Sequence, residues 1–355
     1  MENGVTTLRE IYSQPEVWRG CLHTLDRLDL EPLVGGKDLR FTKWLFVGCG
    51  TSYYLAQAAA ATFAALGAES ARAVPASEML LFPNLVFPIK PGAIFTVLIS
   101  RSGQTSEVLR IAELLRQRGD EFLAITCDGN ELLRLSSRTL KLPVTEESTV
   151  MTSAFTSMLI ALQFIAARLA KQSEFVEALH TLPMALAELL PIYGPQLEQF
   201  AQQSFDDVAF LAQGALYPIA SETALKVMES SSSYAQFFHT LEFRHGPKSI
   251  VSDKVLVGAF LSETGYVEES AVLREMKELG GRTLAIANRF SPEVRNSADL
   301  AIELGLPAPE LVRLVVYLVW GQLLGCHLGL AKGLNPDSPR HLSRVVTLAG
   351  SDGVR

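Results

Sequence analysis

The 355-residue sequence has few cysteines and no surplus of positive charge. Its four cysteines lie far apart and form no CxxC or CxxH spacing, so neither a zinc site nor a disulfide framework is indicated. Lys and Arg number 31 against 38 Asp and Glu, which gives a net charge of −7. A chain this acidic lacks the cations that release counterions from nucleic acid, so general polyanion binding is disfavoured.

The sequence also lacks the marks of secretion and of membrane insertion. No basic stretch followed by an apolar run stands at the N-terminus, so no secretory signal is predicted. The most apolar segment, Leu311–Ala331, carries Arg313, Gln322 and His327. We interpret it as a buried helix, with a membrane span as the alternative. We therefore expect a cytoplasmic protein that binds neither membrane nor nucleic acid.

Short apolar runs alternate with helical patterns along most of the chain. Residues 1–40 are predicted as a helical segment, with helices at Leu8–Trp18 and Cys21–Val34. Strands are predicted at Trp44–Val47, Ser70–Val74, Ala93–Ile99, Phe122–Cys127 and Thr139–Pro143, and again at Val208–Leu211, Val255–Leu261, Thr283–Ala287 and Leu300–Leu304. Strands separated by helices imply parallel sheets covered on both faces. We predict an α/β protein with two tandem doubly wound domains, 41–185 and 190–355, joined by a helical linker near Phe175–Gln203.

Two predicted strand ends in the first half are rich in hydroxyl groups. One is Cys49-Gly50-Thr51-Ser52, and the other is Ser100-Arg101-Ser102-Gly103-Gln104-Thr105. Each precedes a helix, where free N–H groups and the helix dipole favour an anion, so together they resemble a cradle for one phosphate monoester. The alternative is that these hydroxyls only cap the two helices.

Other phosphate motifs fit the sequence less well. No GxxxxGK[ST] motif occurs, which disfavours a P-loop nucleotide site. The pair Gly48 and Gly50 begins a dinucleotide fingerprint, but Tyr53 stands where the third glycine is required. We therefore expect no nucleotide cofactor.

Charged residues of the second half form a second candidate group. Lys226 and Glu229 are three residues apart on a predicted helix, so they share a face. Glu229 suits a general base if partly desolvated, and a surface ion pair is the alternative. His245 precedes Gly246-Pro247 at a rigid turn and suits either an acid/base role or a structural one.

The residues of five segments, taken jointly, resemble the sugar isomerase (SIS) superfamily across nearly the whole chain. The chain is similar to the isomerase half of glucosamine-6-phosphate synthase and to the tagatose-6-phosphate ketose/aldose isomerase and amino-sugar-phosphate deaminase branch. The segments are Val47–Ser52, Ser100–Thr105, Ser221–Glu229, Phe243–Lys248 and Asn335–Arg340.

The resemblance implies a role for each matching residue. It implies two tandem SIS domains and a sugar-phosphate site formed by Thr51, Ser52, Ser100, Arg101, Ser102 and Thr105. Glu229 would move a proton between C1 and C2, with Lys226 as a supporting group. His245 would open the sugar ring, reaching in from the neighbouring subunit of a homodimer with shared active sites.

Two departures from the family pattern narrow the expected reaction. No cysteine precedes Cys21, so a glutaminase domain and glutamine-driven amination are not expected. Arg344 stands where the synthase has a lysine that forms a Schiff base, and a guanidinium stays protonated. Arg344 suits neutralisation of a developing enediolate instead.

We therefore expect an enzyme, a phosphosugar isomerase that interconverts an aldose or 2-amino-aldose phosphate and a ketose phosphate, with or without ammonia release. No metal and no organic cofactor are expected. The alternative is a non-catalytic, regulatory phosphosugar-binding SIS protein.

Overall fold

The computed structural model describes residues 3–87, 92 and 94–348. Within them the helices are α1 (Val5–Tyr12), α2 (Gln14–Leu25), α3 (Glu31–Val34), α4 (Thr51–Ala65), α5 (Ala76–Leu81), α6 (Pro83–Val86), α7 (Ser106–Arg118), α8 (Glu131–Arg134), α9 (Ser153–Leu169), α10 (Ser173–Phe200), α11 (Tyr217–Ser231), α12 (Tyr266–Glu278), α13 (Pro292–Asn296) and α14 (Glu310–Ala331). The strands are β1 (Lys43–Gly48), β2 (Ser70–Pro75), β3 (Phe95–Ile99), β4 (Phe122–Thr126), β5 (Arg138–Lys141), β6 (Asp207–Ala212), β7 (Ala235–His239), β8 (Val255–Phe260), β9 (Arg282–Ala287) and β10 (Leu300–Glu303). Ala93, the expected start of the third strand, lies outside the described residues.

The chain divides into two compact units that are interleaved in sequence. Unit A comprises Glu16–Glu147, Ser153–His180 and the residues from Ser343 onward. Unit B comprises the residues up to Pro15, Ser148–Thr152 and Thr181–Leu342. These bounds differ from the contiguous segments 41–185 and 190–355 that we expect from the sequence.

The sheet of unit A is parallel and has the strand order β2-β1-β3-β4-β5. Strands β1 and β3 are neighbours although β2 lies between them in sequence, and Val47 pairs with Leu98. Every residue of β3 and β4 is buried, as expected when helices cover both faces. The chain therefore reverses its direction of winding between β1 and β3, where open sheets of this kind bind ligands.

The sheet of unit B repeats the same order, β7-β6-β8-β9-β10, and is also parallel. The predicted fold class, two doubly wound parallel sheets, is confirmed. Strand β7 was absent from the sequence prediction. Phe237 and Phe238 lie in this strand. The half-buried ring of Phe238 lies 5.2 Å from that of Phe243 and packs against the core of the unit.

Two helices, α10 and α14, are long and apolar enough to cross a membrane by length and composition alone. In α14, 89% of the apolar window is buried inside the protein, which is the behaviour of a core helix. The interpretation of Leu311–Ala331 as a buried helix is confirmed. In α10 the buried share is 39%, and three prolines, Pro183, Pro191 and Pro195, lie inside the helix.

Helix α14 packs closely on α11 along three glycines spaced four residues apart. A Cβ atom at Gly321 or Gly329 would collide with Thr223 or Ser230 of α11. At Gly325 the added atom would lie 2.7 Å from the carbonyl oxygen of Lys226. The absence of side chains at these positions lets the backbones of the two helices approach, and this fixes the position of Lys226 in unit B.

Candidate active site

The two hydroxyl-rich loops of unit A leave neighbouring strands at the same edge of the sheet. Thr51 and Ser52 follow β1, and Ser100 and Ser102 follow β3. All four side chains are buried. Because β1 and β3 are paired in parallel, their carboxyl ends lie side by side. The structure thus brings the two predicted loops together.

The hydroxyl groups of Ser100 and Thr105 do not cap α7. Thr105 is the N-cap residue of that helix, and its side chain makes no capping hydrogen bond. The Thr105 hydroxyl lies 3.2 Å from that of Ser100, and Ser100 accepts a hydrogen bond from the Gly103 amide at 3.1 Å. In this loop the capping alternative is therefore not what the structure shows, because these two hydroxyls interact within the loop. The N-cap residue of α4 is Gly50, which has no side chain to cap the helix.

Arg101 has a buried partner that sequence reasoning missed. Its guanidinium donates to Glu146 at 3.0 Å, and both side chains are buried. The other oxygen of Glu146 accepts from the Ala154 amide at 2.9 Å and from the Ser153 hydroxyl at 3.0 Å, at the start of α9. The side chain of Arg101 thus connects the loop after β3 to α9. A carboxylate seven residues before a helix gave no local signal of this role.

Arg344 lies in unit A, next to the same group of loops. Its guanidinium donates to Asp128 at 3.0 Å, and both groups line a cavity of about 710 Å³ beyond the carboxyl ends of β4 and β5. The chain then passes Ser106, the first residue of α7, whose hydroxyl accepts from the Leu348 amide at 3.2 Å. Leu348, far along the chain, therefore lies beside α7, the helix that follows the Ser100–Thr105 loop.

In unit B, Lys226 and Glu229 form an ion pair on α11. Glu222 lies on the other side of the ammonium, 3.2 Å from Lys226 Nζ. Lys226 and Glu222 are completely buried, whereas the side chain of Glu229 is 18% exposed. The expected alternative, a surface ion pair, is therefore excluded for Lys226.

The charge on Lys226 is stabilised by its two carboxylate partners. Burial alone disfavours the charged form, but attraction by Glu222 and Glu229 outweighs that effect and raises the pKa of Lys226. The ammonium consequently stays protonated at neutral pH and holds Glu229 in one position. Sequence reasoning missed Glu222, although its spacing of four residues from Lys226 was a usable signal.

His245 lies at an exposed turn of unit B between two short 3-10 turns, Glu242–Arg244 and Pro247–Ile250. Gly246 has φ 125°, a conformation that side-chain-bearing residues rarely adopt. The neighbouring Phe243 is fully buried. The turn thus presents His245 to solvent from a firmly packed base.

The loops after β1 and β3 and helix α11 all lie within segments that match a known protein family. The SIS domain family matches residues 42–168 and 203–319. The chain belongs to the SIS domain family. The two matched segments contain the strands of the two sheets in turn, so each sheet corresponds to one SIS domain.

Named relatives of this SIS chain include larger proteins. It is 28% identical to glutamine–fructose-6-phosphate aminotransferase (isomerizing) of Thermococcus kodakarensis over 96% of this chain and 58% of the relative. It is 30% identical to the enzyme of the same name from Vibrio cholerae, over 85% of this chain and 51% of the relative. The SIS chain thus spans little more than half the length of these curated relatives.

Solved structures match nearly the whole SIS chain. Glucosamine-6-phosphate deaminase from Thermotoga maritima matches with a TM-score of 0.78 and 27% identity, over 97% of this chain and 100% of that one. Tagatose-6-phosphate ketose/aldose isomerase from Escherichia coli matches with a TM-score of 0.81 and 24% identity, over 95% of each chain. At 24% identity, the match to the Escherichia coli structure is evidence for the fold alone.

A cysteine also lies at the site of this SIS protein. Cys49 lies in the loop after β1, and burial, reinforced by the charge of Glu107, raises the pKa of its thiol to about 12. A neutral thiol is a poor nucleophile, so the raised pKa disfavours a nucleophilic role for Cys49. Across residues 3–87, 92 and 94–348, no group of three His, Cys, Asp or Glu side chains is placed to hold a metal ion.

Proposed function

We propose that this SIS protein is a phosphosugar isomerase that interconverts an aldose phosphate, or a 2-amino-aldose phosphate, and a ketose phosphate. The reaction passes through an enediol-type intermediate. The observation that carries the proposal is the Glu222–Lys226–Glu229 network on α11. It holds Glu229 beside the Lys226 ammonium while leaving part of its side chain accessible, which suits a general base at a sugar carbon.

The proton movements balance within the sugar. Glu229 takes the proton from C2 of the open-chain aldose while O1 gains a proton, which gives the enediol. Glu229 then returns a proton to C1 while the O2 hydroxyl loses its proton, which gives the ketose. With a 2-amino substrate the same shift gives a C2 imine, which water hydrolyses to the ketose and ammonia. The 27% identical solved structure bears the name of a deaminase, which supports keeping both outcomes within the proposal.

The loops of unit A supply the proposed phosphate site. Thr51, Ser52, Ser100 and Ser102 offer buried hydroxyls, and Thr105 offers a half-buried one, beside the N-terminal ends of α4 and α7, where a dianion is favoured. Phosphate binding of this kind anchors the substrate through a group that does not react. Arg101, tied to Glu146, contributes through the shape of the loop.

His245 and Arg344 complete the proposal. His245 acts as the acid/base that opens the sugar ring. The protein is further proposed to work as a homodimer in the cytoplasm. Arg344 neutralises negative charge that develops on the enediolate oxygen, and its pairing with Asp128 keeps it in the same unit as the phosphate loops. The proposal invokes neither a metal nor an organic cofactor.

The test is turnover of a panel of hexose and hexosamine 6-phosphates, followed by ketose formation, ammonia release and exchange of the C2 proton with deuterium from solvent. Glu229→Gln should lower exchange by about 10²–10⁴-fold while phosphosugar binding survives. Glu188→Gln changes an exposed glutamate of α10 and serves as the control. Binding without turnover of any sugar in the native protein would instead support a non-catalytic phosphosugar-binding protein.

A further inference from the structure

The turn that carries His245 is attached to α12 by two cations that share one carboxylate. Arg244 Nε donates to one oxygen of Glu275 at 2.6 Å. Lys248 Nζ donates to the other oxygen of Glu275 at 2.7 Å. These cations stand one residue before and three residues after His245, so a single side chain of α12 holds both flanks of the turn.

The apolar base of the turn is attached to the same helix. Phe243 is fully buried in a cluster that includes Val272 and Met276 of α12. Beyond Phe243 the chain passes Gly246, whose positive φ lies in a region that glycine visits freely. The segment between Phe243 and Gly246, which carries His245, therefore needs contacts with another element to keep one orientation.

We propose that Glu275 is a positioning residue that fixes the orientation of His245 through Arg244 and Lys248. The inference rests on the proposed function for its catalytic consequence. Glu275 hydrogen-bonds to the two cations that flank His245, and it acts on His245 through them.

The two ion pairs of Glu275 should matter more for catalysis than for the stability of the folded protein. The side chains of Arg244, Lys248 and Glu275 are 35%, 41% and 28% exposed. Solvent screens ion pairs at this exposure, so each contributes little to the stability of the folded protein. Catalysis is far more sensitive, because a displacement of about 1 Å can lower a rate by about 10²-fold. Loss of Glu275 should consequently alter the turn without unfolding unit B.

The experiment compares Glu275→Gln with Glu293→Gln. The control removes another ion pair of α12, between Arg274 and Glu293, which does not involve the turn. With Glu275→Gln we expect kcat to fall about tenfold or more while KM stays within about twofold and the melting temperature is unchanged. Glu275→Asp, which keeps the carboxylate, should recover most of kcat, and Glu293→Gln should resemble the native protein.

A second readout does not depend on activity. Amide hydrogen exchange of residues 242–250 should be faster in Glu275→Gln than in Glu293→Gln, while exchange in β8 stays the same. Native kcat together with native exchange in Glu275→Gln would overturn the inference, as would equal effects of the two variants. If the native protein isomerises no sugar phosphate, the proposed function fails, and the exchange comparison alone decides whether Glu275 anchors the turn.

Discussion

Replacement of Gly325 by alanine tests whether α14 fixes the helix that carries the candidate base. The added Cβ would lie 2.7 Å from the carbonyl oxygen of Lys226, 2.9 Å from its carbonyl carbon and 3.1 Å from the amide nitrogen of Val227. All three atoms are backbone, so no side-chain rotation relieves the contact. Either α11 or α14 must move.

The expected magnitude is the difference between two opposing effects. An alanine inside a helix is more favourable than glycine by about 0.5–1 kcal/mol. Overpacking a close contact costs about 1–3 kcal/mol, and the rigid backbone partner places Gly325 toward the upper end. We therefore expect the free energy of unfolding to fall by about 1–2 kcal/mol, equivalent to a loss of roughly 1–3 °C in melting temperature for a chain of this length.

Gly20 supplies the matched control. It lies inside α2, and a Cβ there would meet no atom within 4 Å. Gly20→Ala should therefore show the propensity gain alone and raise the melting temperature slightly. Thermal unfolding and C2 proton exchange are measured on both variants, and exchange should fall only in Gly325→Ala because Lys226 moves. A Gly325→Ala protein as stable as Gly20→Ala would refute the argument.

Three further predictions address the phosphate loops, the subunit arrangement and acid stability. Ser102→Ala should weaken phosphosugar binding by roughly tenfold or more in calorimetry, since a hydrogen bond to a charged group is worth about 1.5–3 kcal/mol. Unchanged affinity would place the phosphate elsewhere. If active sites are shared in a homodimer, mixing inactive Glu229→Gln and His245→Ala proteins should restore activity, because about half of the randomly exchanged dimers are hybrids. No recovery after verified exchange would assign both residues to one chain or deny His245 a catalytic role. Burial lowers the pKa of His327, an effect that Glu198 partly opposes, so the unfolded state binds its proton first as the pH falls below the ordinary value of 6.5. His327→Leu should therefore lose less stability between pH 7.5 and 5 than the native protein, by up to about 1.4 kcal/mol per pH unit, and an identical pH dependence would contradict the lowered pKa.

The strands with long apolar runs could be predicted from the sequence because burial on both faces leaves an unbroken hydrophobic signal. The predicted run Thr283–Ala287 corresponds to β9, and Phe122–Cys127 corresponds to β4. Strand β7 escaped prediction because it lies at the edge of its sheet and pairs only with β6 among the described strands. Its short sequence, Ala-Gln-Phe-Phe-His, shows neither a buried run nor a regular alternation of polar and apolar residues.

The loops of unit A were accessible to prediction for a similar reason. Glycine and hydroxyl residues at the ends of two parallel strands are a local pattern, and the rule that ligands bind at such ends converts it into a site. The attachment of Arg101 to Glu146 joins residues 45 positions apart, and that of Arg344 to Asp128 joins residues 216 apart. Such pairings depend on the packing of whole elements, which no local pattern contains.

The state of Lys226 shows most clearly what packing adds to a sequence pattern. A lysine flanked by glutamates at spacings of three and four is ordinary on an exposed helix, where the pairs are worth only tenths of a kcal/mol. The same spacing supports a base only if the lysine is buried, because a desolvated ammonium must keep its carboxylates close. Helix α14 comes into close contact with the α11 backbone at Lys226 because glycine recurs at 321, 325 and 329. The packing of the helix that carries the candidate base thus depends on three residues about a hundred positions away that carry no functional group.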